Sequence, residues 1–258
     1  MKTLTLCALL LPLAAVADTP WDGTWVSRED SAVMDKKPIA VSLAKGVWKN
    51  DAYHPALQVK ADGTDQPVKG HSYFDTVAVR EAGADAVEVT IKKAGKVVGT
   101  SRISVSADGK TATRKWTDET GSAPASGEIV YERVGKGPSG SHAVSGSWRV
   151  VKIQNLSTSA KTVTLKGSAD GFAMASPTGQ NYDAKFDGKQ VPVNGDPGGT
   201  MVSLKRVSDH KLVETDHRKG KVVEVDTYTL APDGKAIKVE WDDKETGRKG
   251  SYAMEKSP

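Results

Sequence analysis

The chain carries much of its pattern twice. Displaced along itself by 125 positions, Asp62-Gly63 falls on Asp187-Gly188, Gly95-Lys96-Val97-Val98 on Gly220-Lys221-Val222-Val223, Asp108-Gly109-Lys110 on Asp233-Gly234-Lys235, and Trp116 on Trp241. Between residues 62 and 118 the correspondence has no gap and holds 16 identities in 57 positions. Solenoid units repeat every ~20–50 residues, so a period this long is a whole copied domain. The chain must fold as two related units. Positions that differ between the copies are where function would differ.

Within each copy the signals are those of strands and tight turns. Asp-Gly pairs at 22-23, 62-63, 108-109, 170-171, 187-188 and 233-234 supply residues that tolerate the positive φ of hairpin turns. Between them run short alternating segments: Val77 and Val79; Val87, Val89 and Ile91; Ile103 and Val105; then Val202 and Leu204; Tyr228 and Leu230; Ile237, Val239 and Trp241. Period-two patterning with frequent turns reads as antiparallel meander strands. Many short strands must hide their edges, and closure does that best, so the expected fold is all-β: two tandem antiparallel up-and-down β-barrels.

The first residues read as a secretory signal peptide: Lys2, an apolar run from Leu4 to Val16, and Ala15-Val16-Ala17 before Asp18. The expected segments are a signal peptide at 1–17, a first barrel at 18–134, a Gly/Ser/Pro linker at 135–143 and a second barrel at 144–258. Cleavage near Ala17-Asp18 implies a periplasmic or secreted protein, with no transmembrane segment in the mature chain. Cys7, the one cysteine, lies in the signal, so the mature domains hold together without disulfides. The mature chain keeps 35 basic against 32 acidic residues, well interspersed, which argues against nucleic acid as a partner.

Each copy opens with a Gly-x-Trp triplet, Gly23-Thr24-Trp25 and Gly146-Ser147-Trp148, and ends near a basic residue, Arg133 after Tyr131-Glu132 and Lys256 after Met254-Glu255. With the repeated Gly-Lys-Val-Val hairpin, these residues resemble lipocalins, and more closely a group of secreted bacterial lipocalin-like (calycin-type) proteins of unassigned function. The resemblance implies that Trp25 and Trp148 plug the closed ends of the barrels. It also implies that Arg133 and Lys256, each at the end of a copy, lie across an indole as a barrel floor. A small-molecule pocket follows by analogy.

The lumen candidates come from comparing copies. If Val87, Val89 and Ile91 face inward, the shift puts Leu212, Glu214 and Asp216 on the same face, so two carboxylates point into the second barrel, with Arg206 as a counter-charge. The opposite register would turn Val213 and Thr215 inward and leave the acids in solvent. In the first copy Arg114 stands where the second has Val239, beside Trp116. Tyr228 and Trp241 complete the second lumen, and Trp48 is a candidate rim contact. His210 and His217 flank Glu214 and Asp216, but His217 has the opposite strand parity to Glu214 and no His-x-His or H-E-x-x-H spacing occurs, so neither a metal site nor a cofactor is expected. Gly135 to Gly140 spells G-x-G-x-x-G, but no helix follows to cradle a phosphate.

The expected function is binding of an apolar or amphipathic, lipid-like small molecule in the lumens, its polar end meeting Arg114 or Arg206. The alternative is a structural or protein-interaction module of the envelope with filled cores and no ligand. An enzyme using Glu214 and Asp216 as acid and base would need a raised pKa on one of them, and a non-enzyme is the expectation.

Overall fold

The repeated hairpins form where both residues of a two-residue turn accept a left-handed conformation. Ala94-Gly95 (φ 49° and 81°) and Lys219-Gly220 (φ 50° and 76°) do so at equivalent places. That geometry matches the twist of the flanking strands and fixes their register. The computed structural model describes residues 19–258. The signal segment 1–17, Cys7 and the Ala17-Asp18 cleavage position lie outside the described residues.

The first eleven strands are β1 (Gly23–Ser27), β2 (Val33–Met34), β3 (Ile39–Ala44), β4 (Val47–Asn50), β5 (Leu57–Lys60), β6 (Gln66–Pro67), β7 (Thr76–Glu81), β8 (Ala86–Lys93), β9 (Lys96–Val105), β10 (Thr111–Asp118) and β11 (Ala125–Lys136). There follow β12 (Gly146–Gln154), a short helix α1 (Thr158–Lys161), β13 (Thr162–Gly167), β14 (Gly171–Ala175), β15 (Asn181–Lys185) and β16 (Val191–Pro192). The last are β17 (Met201–Ser208), β18 (Lys211–Arg218), β19 (Lys221–Leu230), β20 (Ala236–Asp243) and β21 (Arg248–Lys256). They build two nearly closed antiparallel barrels of ten strands each.

The strand order departs from the order of the repeats. The first barrel runs β5-β4-β3-β12-β11-β10-β9-β8-β7-β6, and the second runs β15-β14-β13-β1-β21-β20-β19-β18-β17-β16. The two Gly-x-Trp strands have changed places. β1 lies between β13 and β21 of the second barrel, with Thr24 opposite Thr164 and Trp25 opposite Lys256. β12 lies between β11 and β3 of the first, with Ser147 opposite Ala40 and Trp148 opposite Arg133.

Both indoles floor a barrel, each in the half other than its own repeat. Trp25 is fully buried in the second core and Trp148 in the first. Each indole N–H donates to the carbonyl four residues back, Trp25 to Trp21 and Trp148 to Val144, both at 2.8 Å. The Arg133 guanidinium lies 4.0 Å over the Trp148 ring, and the Lys256 ammonium 5.5 Å from that of Trp25. Arg133 also donates to the carbonyls of Gly109, Ala143 and Ser145, which joins the floor to the turns around it.

The boundaries expected at 18–134 and 144–258 therefore do not separate the barrels. The first is continuous over residues 39–154, and the second takes residues 162–256 plus β1. The Gly/Ser/Pro run at 135–143 ends β11 and turns into β12 within the first barrel, where the His142 N–H donates to Leu43 O at 2.9 Å. Turns and linkers draw on the same residues, so composition alone does not tell them apart. The chain crosses between barrels at residues 28–38 and 155–161, and the crossings are tied together. The Glu29 carboxylate accepts from the N–H groups of Asn155 (2.8 Å) and Leu156 (3.0 Å).

Candidate functional site

Cross-strand register stacks the inward side chains in rows. In the first barrel one row is Val87-Ile103-Arg114-Ile129 and the next is Val89-Ser101-Trp116-Gly127, with Ile91 opposite Gly99 beyond it. The equivalent rows of the second barrel are Leu212-Tyr228-Val239-Tyr252 and Glu214-Asp226-Trp241-Gly250, with Asp216 opposite Glu224. Position by position, Val89, Ile91, Gly99 and Ser101 are replaced by Glu214, Asp216, Glu224 and Asp226. The two lumens share a frame and carry opposite kinds of ionisable group, a guanidinium in the first and carboxyls in the second. Trp116 and Trp241 each lie across a glycine of the next strand: a methyl at Gly250 would come within 2.5 Å of the Trp241 ring.

The first lumen opens into a cavity of about 430 Å³, lined among others by Tyr53, Tyr73, Phe74, Ile91, Arg114 and Trp116. Arg114 also borders a small space of about 30 Å³ above Trp148, so it stands between the floor and the mouth. Among the described residues Arg114 forms no ion pair with a carboxylate; the Tyr131 hydroxyl is its hydrogen-bonding neighbour, with Tyr53 close by. Burial pulls its pKa down, but these two hydroxyls leave it above the ordinary arginine value, so the group stays a cation. The mouth is aromatic. Tyr53 meets Phe74 edge-on at 5.6 Å, and His71 stacks on Phe74 at 4.4 Å, burial holding its imidazole below the usual histidine range.

The second lumen holds four carboxyl groups on two adjacent strands. Glu214 is 7% exposed and accepts a hydrogen bond of 2.5 Å from the Tyr182 hydroxyl. Burial, then the charge of Asp216, pushes Glu214 up to about 8. Asp226, opposite it, is pushed to about 9 by burial and then by Glu224 and Glu214. Glu224 rises to about 7, through burial and then Asp216 and Asp243. Asp216 rises only to about 6, because the Arg218 guanidinium offsets part of its burial. Asp216 and Asp226 each bury one carboxylate oxygen without a hydrogen-bond partner. Removing water from an acid favours its neutral form, and like charges at this spacing add to the effect. The four titrate as a coupled set.

The sequence candidates scatter differently from expectation. Glu214, Asp216 and Tyr228 share the second lumen, and the register that would have placed Glu214 in solvent does not occur. Arg206 is no counter-charge for them. It is exposed at the barrel's edge, pairs with Asp209 at 2.7 Å and lies 5.9 Å from the Phe186 ring. Trp48 is no rim contact either. It is wholly buried in the first core because it faces Leu43 and Val59 across both neighbouring strands. His210 is exposed, and His217 bonds Ser203 at 3.1 Å. Sequence reasoning passed over Glu224, Asp226, Tyr182 and Arg218. The 125-residue shift pointed to the first two, since it sets them against Gly99 and Ser101.

Among the described residues, no group of three histidine, aspartate or glutamate side chains is placed to hold a metal ion, and no helix is long and apolar enough to cross a membrane. Comparison with protein-family profiles, curated proteins and solved structures finds no match to this chain.

Proposed function

We propose that this is a secreted or periplasmic binding protein of lipocalin-like type. Its first barrel takes an amphipathic small molecule with the anionic head on Arg114 and the apolar body among Trp116, Phe74, Tyr53 and Ile91. The observation that carries this reading is the guanidinium of Arg114, which reaches a cavity and, among the described residues, has no carboxylate partner. A charge withdrawn from water is costly unless paired, and a ligand anion is the partner that geometry leaves room for. Cavities of ~300–1,000 Å³, mostly apolar with a few placed polar groups, are the usual small-molecule sites, and about 430 Å³ falls in that range. The protein acts as a carrier or receptor rather than a catalyst.

Native mass spectrometry on the full chain soaked in a mixed lipid extract tests this. The expected result is one added small-molecule mass, released as an acid on organic extraction and lost in Arg114→Gln. A clean unliganded mass in the parent protein refutes the reading and favours an interaction module with filled cores.

A further inference from the structure

The mouths of the two lumens meet around an aromatic–cation contact. Tyr73, which lines the first cavity, places its ring 5.1 Å from the Arg218 guanidinium at the end of β18. The ring is seated on the Gly198 backbone, where a methyl would come within 2.7 Å of it, and its hydroxyl faces Thr200 and Asp196. In the other direction Gln180, just before β15, joins the lining of the first cavity. Arg218 donates to Glu245 at 2.9 Å and to the Thr200 hydroxyl at 3.2 Å. Asp216 from its own strand and Glu224 from β19 also feel its charge, Asp196 approaches from the loop before β17, and Asp243 from β20 lies beside Glu224. One guanidinium thus serves the second lumen, the turn after β20, and a wall of the first cavity.

We infer that Arg218 couples the two barrels: while Asp216 and Glu224 are neutral it rests on Glu245 and Tyr73, and when they ionise it is drawn into the second lumen and Tyr73 loses its partner. This rests on the proposed reading of the first cavity as an anion site, and adds its regulation. Loosening the Tyr73 wall weakens the ligand's enclosure, so binding in the first barrel is tighter in acid than in alkali. Coupling between sites is reciprocal, so ligand binding takes up protons in the second lumen. Asp216 and Glu224, at about 6 and about 7, place the transition near neutral pH, while Glu214 and Asp226 keep their protons until about 8 and about 9. Loss of a cation–π contact shifts a binding equilibrium by about 2-fold to about 30-fold, and a change of about tenfold lies within that span.

The test is the affinity of the full chain for 1-anilinonaphthalene-8-sulfonate, whose sulfonate stays charged throughout, by fluorescence titration from about pH 5.5 to about pH 8.5 at constant ionic strength. The expected dissociation constant rises about tenfold across that range. In Asp216→Asn/Glu224→Gln the profile is flat at the acid-side affinity. Tyr73→Leu, in the other barrel, keeps an apolar wall and also flattens it, which separates this coupling from titration of His71 in the same loop. Should the double variant fail to fold, Tyr73→Leu alone decides. Arg114-dependent binding whose affinity moves less than about twofold, or a slope that survives Tyr73→Leu, overturns the coupling and leaves the cavity reading standing. Absence of any binding lost in Arg114→Gln, at every pH, overturns both.

Discussion

A carboxyl group stripped of water holds its proton, and four of them on facing strands hold theirs more tightly still. Glu214, Asp216, Glu224 and Asp226 all bind protons more strongly in the folded chain than in the unfolded one. Their contribution to stability is therefore present in full below the ordinary carboxylate range near ~4 and is lost as pH rises through about 6 to about 9. The thermal midpoint should fall between about pH 5 and about pH 9. Asp226→Asn and Glu214→Gln should each raise it by several degrees at about pH 8, since ~1 kcal/mol moves the midpoint of a domain this size by ~2–4 °C. A midpoint that is level across this range, in parent and variants alike, would count against buried ionisation. Glu214 and Asp216 were legible in the sequence because the repeat set them against Val89 and Ile91. Glu224 and Asp226 were masked by Val223 and Val225, whose apolar alternation argues for the opposite face.

Strand by strand, the pleat and the hairpins could be read locally, while the partner of each Gly-x-Trp strand could not. A turn residue acts within its own hairpin; which barrel receives β1 depends on where the segments at 28–38 and 155–161 run, and no periodicity records that. Cysteines at opposed, outward positions make the exchange measurable. Thr24→Cys/Thr164→Cys should oxidise to an intramolecular disulfide in the folded protein, whereas Thr24→Cys/Ala40→Cys, the pair that an unexchanged first barrel would bring together, should stay reduced. The reverse outcome would restore the order of the repeats. Gly250→Ala probes the glycine–indole device. Its new methyl would meet the Trp241 ring at 2.5 Å and the Val33 carbonyl at 2.6 Å, so a loss of ~1–3 kcal/mol is expected in chemical denaturation. A neutral result would mean that the indole moves freely.

At the scale of the molecule, the exchange makes one object of two repeats. Cleaving the folded chain with a protease site placed in the turn at 138–142 should leave both fragments in one particle by size-exclusion chromatography, separating only in denaturant. Fragments that part under native conditions would show that the exchanged strand contributes little. The all-β class and the two barrels were visible in the alternation and the repeat, whereas the joint between barrels was not, because its ties are single side chains such as Glu29, Arg218 and Tyr73. The exchange also sets an order of assembly. Arg28 at the end of β1 pairs with Glu255 across 227 residues of chain, so the stave made first is the last to be fitted. A chain emerging from its amino end can seal the first barrel once residue 154 is out, while the second must wait for the carboxyl terminus, with β1 held unspent until then.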